Sequence, residues 1–175
     1  RKHHSYYFGR VESFITRYIL HKADLIFPIS QWMEKELIGK GIPKSKMMPL
    51  PMGVNPERFS LNIDGTKIRE KYDLSDAKVI LYTGTLDKLR ELSIIICAFS
   101  KVREQRDNVK LLLVGDGNDK NNLKELSTKL GITRDVIFTE QASYFDVPYF
   151  IAAADICLCP VPPLDIYKVS SPIKM

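Results

Sequence analysis

The chain has 175 residues, 45% of them apolar and 27% charged, and a formal net charge of +5. These values fit a globular protein of one domain, or of one domain with part of another. They exclude a helical membrane protein, because no apolar run is long enough to span a bilayer; no leader pattern is visible either. The positive charge favours anionic partners only weakly, and a solvated basic surface explains it equally well. Nothing in the chain points to nucleic acid. The three cysteines match no zinc spacing, and Cys157 and Cys159, two apart on one face of a buried-looking strand, do not bridge easily, so reduced thiols in a cytoplasmic protein are expected.

In chain order, Tyr6 to Lys22 is predicted to be an amphipathic helix with Phe8, Val11, Ile15, Tyr18 and Ile19 on one side. Leu25-Ile26-Phe27-Pro28-Ile29 is a predicted strand, and Ser30 caps a helix running to about Ile38. Met47 to Met52 is extended, since Pro49 and Pro51 forbid a helix. Gly53-Val54-Asn55-Pro56 turns the chain, and the polar stretch up to Ala77 carries a short helix near Lys67 to Tyr72.

From Lys78 onward the pattern alternates. Val79 to Thr83, Lys110 to Val114, Asp135 to Thr139 and Asp155 to Cys159 are short apolar runs. The first gap holds a helical stretch in which Ile95, Ala98, Phe99 and Val102 share a face. The second is marked by Leu123, Leu126 and Leu130, with Asp119 as N-cap and Gly131 as stop; the third spans about Phe145 to Ala154, with Pro148 near its first turn. Near-continuous apolar runs separated by helices are parallel strands buried on both faces, so the expected fold is a doubly wound, Rossmann-like α/β sheet preceded by the tail of a second αβ domain. The expected division is 1–55 for that tail, 56–77 for a linker and 78–175 for a partial nucleotide-binding domain. At the end of the chain, Ser171-Pro172 reads as a helix start with no helix after it, and Arg1 opens without a Met. Both features suggest a piece of a longer protein.

In a parallel sheet, ligands sit at the carboxyl ends of the strands. After the first strand comes Gly84-Thr85-Leu86-Asp87-Lys88-Leu89-Arg90-Glu91, a glycine with two cations ahead of a helix, which suits a diphosphate. A tight turn with solvated charges is the other reading. After the second strand, Gly115 and Gly117 allow close approach by a nucleotide. A dinucleotide fingerprint with Glu140 as ribose ligand is weak here, because Lys120 takes the third glycine's place and this is not the first βα turn. Ser143, after the third strand, faces a base or ribose, or merely caps a helix. After the fourth strand, Pro160-Val161-Pro162-Pro163 leads to Asp165, and the Ser171-Pro172 cap points at the same cleft. Spacing does not mark any of Asp87, Asp116, Asp119, Glu140 or Asp165 as a catalytic pair. His3, His4 and His21 have no partners at metal-ligand spacing.

Several segments together resemble the family-four (group one) retaining glycosyltransferases of GT-B fold. These are Ala23-Asp24-Leu25-Ile26 with Ser30, Pro51-Met52-Gly53-Val54-Asn55 with Phe59, and Tyr82 to Leu86 with Arg90 and Ala98-Phe99. Leu113 to Gly117, Val136-Ile137-Phe138, Ala153-Ala154-Asp155-Ile156 and Ser171-Pro172-Ile173-Lys174 follow in the family's order. The chain departs from the pattern at Thr85 (usually Arg), Arg90 (Lys), Glu91 (Gly) and Glu140 (Gly). Arg90 keeps the charge and adds a bidentate fork.

The resemblance implies transfer of a sugar from a nucleotide-sugar donor, with retained configuration and no cofactor or metal, as part of polysaccharide biosynthesis. Gly84, Thr85, Lys88, Arg90, Gly115, Gly117, Ser143, Ser171 and Lys174 would then hold the donor nucleotide and diphosphate. The family's acidic donor-sugar motif would begin just after Met175, so this chain alone is expected to be inactive. The alternative is a non-catalytic nucleotide- or membrane-surface-binding module. Arg1, Lys2, Arg10, Arg17 and Lys22 decorate the first helix, so residues 1–22 can lie on an anionic membrane, placing the protein peripherally at the inner face. Self-association of exposed half-fold surfaces is also expected.

Overall fold

Parallel strands need long crossovers, and the helical stretches between the apolar runs supply them. The computed structural model describes residues 14–163 and Tyr167. Among these, the residues up to Gly53 form one compact unit and Val54–Pro162 a second.

In the first unit, residues 14–22 are helical (α1) and Gln31–Gly39 forms α2. Ser30 caps α2 as predicted, its hydroxyl accepting the Met33 N–H at 3.1 Å. The predicted strand at 25–29 is reduced to a single parallel bridge between Ile26 and Met47, flanked by Leu50 N–H donating to the Pro28 carbonyl. Pro28, Pro49 and Pro51 have no N–H to donate, which limits the ladder. The Lys46 ammonium donates to the carbonyls of His21 (2.8 Å) and Ala23 (3.0 Å), which places a cation at the C-terminal end of α1. The part of the predicted first helix before residue 14 lies outside the described residues.

The second unit is the doubly wound sheet. β1 (Lys78–Thr83), β2 (Val109–Val114), β3 (Val136–Phe138) and β4 (Ile156–Leu158) stand in the order β3-β2-β1-β4, all parallel. Alternation along each strand builds two cores. Tyr82, Leu111, Leu113 and Val136 face α4 (Ser93–Arg103) and α5 (Lys120–Lys129), packing on Ile96, Phe99 and Leu123. Val79, Leu81, Leu112 and Val114 face the other way, with Leu74 and Phe150, toward α3 (Thr66–Lys71) and α6 (Val147–Ala152). Each fully buried aliphatic side chain contributes about 1.5–3 kcal/mol.

The helices depart from the expected faces in detail. On α4 it is Ile96, not Ala98, that turns inward beside Ile95 and Phe99, since the bulkier side chain has more surface to remove from water. After α5, Gly131 adopts φ +72° and closes the helix by donating to the Thr128 carbonyl, while Ile132 N–H reaches Ser127. That turn buries Ile132 and leaves Leu130 exposed. β4 is not buried on both faces as expected: Ile156 and Cys157 are exposed, because β4 is an edge of the sheet in this unit. The segment 56–77 packs within this unit. A Cβ on Gly65 would come within 2.4 Å of the Ala153 backbone nitrogen, so α3 crosses the end of α6 in backbone contact. Arg69 then donates to the Ala153 and Ala77 carbonyls.

Two carboxylates lock the amino-terminal edge of the sheet. Asp155 accepts from Lys78 Nζ at 2.7 Å and from the Val79 N–H at 2.8 Å, with Arg69 3.7 Å away. The Lys78 and Val79 hydrogen bonds hold its carboxyl below the usual aspartate range. Burial acts to raise the Asp135 carboxyl, but hydrogen bonds from Lys110 and Arg103 outweigh it and the net direction is down. A depressed carboxylate stabilises the native state above its unfolded pKa and loses that contribution as pH falls through its folded pKa. In urea unfolding, Asp155→Ala is therefore expected to cost about 2 kcal/mol at pH 7. The gap from wild type should narrow as the pH drops below the ordinary aspartate value of 3.8. A gap independent of pH would contradict this role.

Candidate functional site

The chain runs β1 to β2 to β3 in one direction and then crosses back to place β4 on the far side of β1. The crevice of an open parallel sheet lies at such a reversal, outside the carboxyl ends of the strands. Here it falls between β1 and β4; the loop that leaves β1 is Gly84 to Glu91, and it lies against the loop after β2. Of the predicted site residues, Gly84, Thr85, Lys88 and Arg90 share this loop, with Lys88 and Arg90 on one 3₁₀ turn. Thr85 and Lys88 are exposed and Arg90 is half-buried.

The loop is shaped by what lies under it. The β1–β2 register pairs Thr83 with Val114, so Gly84 and Gly115 leave the sheet side by side. Both have strongly positive φ (149° and 147°), and a Cβ on Gly115 would lie 1.9 Å from the Gly84 oxygen. A Cβ on Gly117 would come within 2.5 Å of the Leu86 carbonyl carbon. The approach allowed by Gly115 and Gly117 is thus filled by the β1 loop itself. Hydrogen bonds stitch the two loops together: Gly84 N–H to Val114 O (2.9 Å), Leu86 N–H to Asp116 O (2.9 Å) and Asp119 N–H to Leu86 O (2.8 Å). The Gly84 amide is committed to the sheet. Leu86 is fully buried beneath the loop, and the Tyr82 hydroxyl donates to the Thr85 carbonyl. Asp119 stands at the predicted N-cap of α5 without capping through its side chain, which accepts from Asn122.

Glu140, at the end of β3, has a counterion that spacing alone does not reveal. Lys120 is almost fully buried, and its ammonium sits 3.2 Å from Glu140 and 3.7 Å from Asp116. The lysine at the third glycine's place is thus the residue that offsets Glu140; two departures from the expected patterns explain each other. Ser143 follows β3, and its hydroxyl donates to Asp146 at 2.7 Å inside the turn that leads into α6. Beside it, the Arg58 guanidinium lies 4.2 Å above the Phe145 ring, and Phe59 packs 5.7 Å from Tyr144. This cluster ties the chain after Gly53 to the loop after β3. An open pocket of about 430 Å³ between α3 and α6 is lined by Lys67, Lys71, Tyr72, Glu140, Gln141 and Tyr149 among others; of the residues weighed for a nucleotide it includes only Glu140. Ser171, Lys174 and Asp165 lie outside the described residues. So do His3 and His4, while the His21 ring bonds to the Arg17 carbonyl. Among the described residues no three metal-ligating side chains come together, and no helix is long and apolar enough to cross a membrane.

Residues 64–161 match the family model of the group 1 glycosyl transferases, and the chain belongs to that family. It is 26% identical over 145 residues to the GDP-mannose-dependent alpha-(1-6)-phosphatidylinositol monomannoside mannosyltransferase of Mycolicibacterium smegmatis, covering 82% of this chain and 38% of the relative. It is also 26% identical over 147 residues to the alpha-monoglucosyldiacylglycerol synthase of Streptococcus pneumoniae, covering 81% of this chain and 33% of the relative. The chain thus spans well under half the length of these relatives. Among solved structures, Anabaena HepE in complex with UDP and glucose superposes with a TM-score of 0.70 at 21% identity, over 82% of this chain and 40% of that one. Sucrose-phosphate synthase from Thermosynechococcus elongatus superposes with a TM-score of 0.66 at 20% identity, over 82% and 36%. The α/β fold with an all-parallel sheet is the one these glycosyltransferase structures share, in agreement with the expected GT-B class.

Two stability measurements check the loop geometry. Gly115→Ala is expected to destabilise by about 3 kcal/mol or more, because a backbone carbonyl blocks the new methyl group and φ is unfavourable for L residues. Glu91 occupies the left-handed region at φ 50°. Glu91→Gly should therefore stabilise by about 1 kcal/mol, read as a higher urea midpoint at unchanged slope.

Proposed function

We propose that this member of the group 1 glycosyl transferases carries the donor-nucleotide half of an enzyme that moves a sugar from a nucleotide-sugar to an acceptor with retained configuration. The observation that carries the reading is the β1 loop. Lys88 and Arg90 stand on one turn of the loop that leaves the carboxyl end of β1, inside the segment that matches the family, which supports the reading. As the bond from the sugar to the diphosphate breaks, negative charge collects on the leaving diphosphate. Fixed cations at that point stabilise the transition state more than the ground state. Arg90 offers a planar fork to two phosphate oxygens and Lys88 a point charge, so the chain's own cations neutralise the leaving group and no cofactor is invoked. Solved structures with this fold include HepE in complex with UDP and with UDP-glucose, which supports a nucleotide-sugar as the partner. The chain alone is proposed to bind donor nucleotide without turnover.

A second observation favours peripheral membrane contact at the cytoplasmic face. On α1, Phe14, Ile15, Tyr18 and Ile19 are all at least half exposed, interleaved with Arg17 and Lys22. Relatives whose names specify lipid-linked products, the mannosyltransferase and the diacylglycerol synthase above, fit that reading. The same exposed residues make self-association of the chain a further expectation.

Calorimetric titration with uridine and guanosine diphosphates tests the first reading. One of the two should bind, and Arg90→Ala should weaken it about tenfold or more. If neither binds, or if Arg90→Ala changes nothing, the diphosphate assignment is wrong. For the second reading, the chain should co-sediment with vesicles rich in anionic lipid and release at high salt, and Phe14→Ser with Ile15→Ser should abolish the association. Retention in the supernatant at low salt would refute it.

A further inference from the structure

The turn that carries both cations is held from the neighbouring loop by one side chain. The Asn118 side-chain carbonyl accepts the Lys88 N–H at 3.1 Å, and the Asn118 N–H in return reaches the Asp87 carboxylate at 3.4 Å. Lys88 opens the 3₁₀ turn. Its own carbonyl then accepts the Glu91 N–H, and the Asp87 carbonyl accepts Arg90 N–H. Asn118 therefore fixes the first residue of the turn from outside, and the turn's internal bonds pass that constraint on to Arg90.

Asn118 reaches this place because Gly117 brings the β2 loop against the β1 loop. A Cβ on Gly117 would stand 2.8 Å from the same Asp87 oxygen, so no larger residue leaves the reciprocal pair intact. Both residues are polar loop positions with an obvious solvent alternative. Both face each other across the loops instead, and among the described residues Asn118 is the partner of the Lys88 amide.

We propose that Asn118 is a positioning residue for anion binding, with Asp87 as its partner: together they hold the Lys88–Arg90 turn in its binding conformation before a nucleoside diphosphate arrives. The inference rests on the proposed donor-nucleotide function. The physical gain is preorganisation. A flexible loop must be ordered when the ligand binds, and a turn already ordered by the protein removes that part of the entropic penalty from binding. Asn118 touches no phosphate in this scheme and acts through the backbone of the residues that do.

The test uses the whole chain and three readouts: hydrogen exchange of the Lys88 amide, the urea midpoint, and titration with uridine and guanosine diphosphates. Asn118→Ala should speed Lys88 amide exchange at least tenfold. It should also raise the dissociation constant of the bound nucleotide about three- to tenfold, the loss of one hydrogen bond, while the urea midpoint stays near wild type. Asn118→Asp keeps an acceptor oxygen and should restore slow exchange at Lys88, which a residue serving only loop packing has no reason to do. If Asn118→Ala does not fold, Asp87→Ala reads the other half of the pair, with the same exchange and affinity changes expected. Unchanged Lys88 exchange, or unchanged affinity in a variant of a wild type that binds, overturns the positioning role alone. Failure of the wild type to bind either nucleotide overturns the donor-nucleotide reading and this inference with it.

Discussion

The contact between Gly84 and Gly115 is the constraint on which the carboxyl edge of this sheet depends. Parallel register carries β1 and β2 to the same height, Thr83 beside Val114, and the next residue on each strand is a glycine. A side chain on Gly115 would overlap the Gly84 carbonyl, and the loops would have to splay. Because they do not splay, the β1 loop folds over the β2 loop, and Leu86 reaches complete burial with its own N–H and carbonyl both bonded to the neighbouring loop. A buried leucine with satisfied backbone anchors the loop, so the turn that follows stands on a rigid base.

The two ends of the sheet use charge differently. At the amino edge, Asp155 and Asp135 each have basic partners within hydrogen-bonding distance, and their carboxyls join strand to strand: β4 to β1, and β3 to β2 through Lys110. Partial burial and backbone bonds make these pairs worth more than exposed surface pairs. At the carboxyl edge, Lys120 offsets Glu140 within the sheet's own frame, whereas Lys88 and Arg90 ride on a loop. The carboxylates of the amino edge thus bind strand to strand, while Lys88 and Arg90 at the carboxyl edge are carried on a turn outside the strands.

What the sequence made legible follows from period and burial. Apolar runs from Lys78 onward located each strand of the sheet, and the order of loop glycines and cations placed Gly84, Thr85, Lys88 and Arg90 together before any coordinates. The less legible features depend on facts that one-dimensional patterns do not carry. Ala98 shares a helical face with Phe99, yet Ile96 is the residue that fills the sheet surface, because burial rewards size as well as phase. β4 has the apolar character of a central strand but is an edge in this unit. Gly115 and Gly117 signalled a close approach, and the loop after β1 makes one. Lys120 with Glu140, and Asn118 with Lys88, join residues 20 and 30 positions apart. Such pairs are visible only once neighbouring strands put their loops side by side.

One consequence concerns how binding and turnover divide within the molecule. The bonds that Tyr82, Leu86 and Lys88 contribute to the β1 loop link residues between Tyr82 and Asp119, all inside the Val54–Pro162 unit. That unit also has its own two cores, one on each face of the sheet. Bonds within this unit thus contribute to the geometry of the cationic turn. Sugar transfer needs more: an acceptor held in line with the donor, and groups around the sugar that respond as its bond breaks. Relatives of more than twice this length have room for those parts. Under the proposed function, affinity for the diphosphate and the capacity for transfer are separable properties, because the first draws on the cations of one sheet edge and the second requires groups brought to that edge from elsewhere.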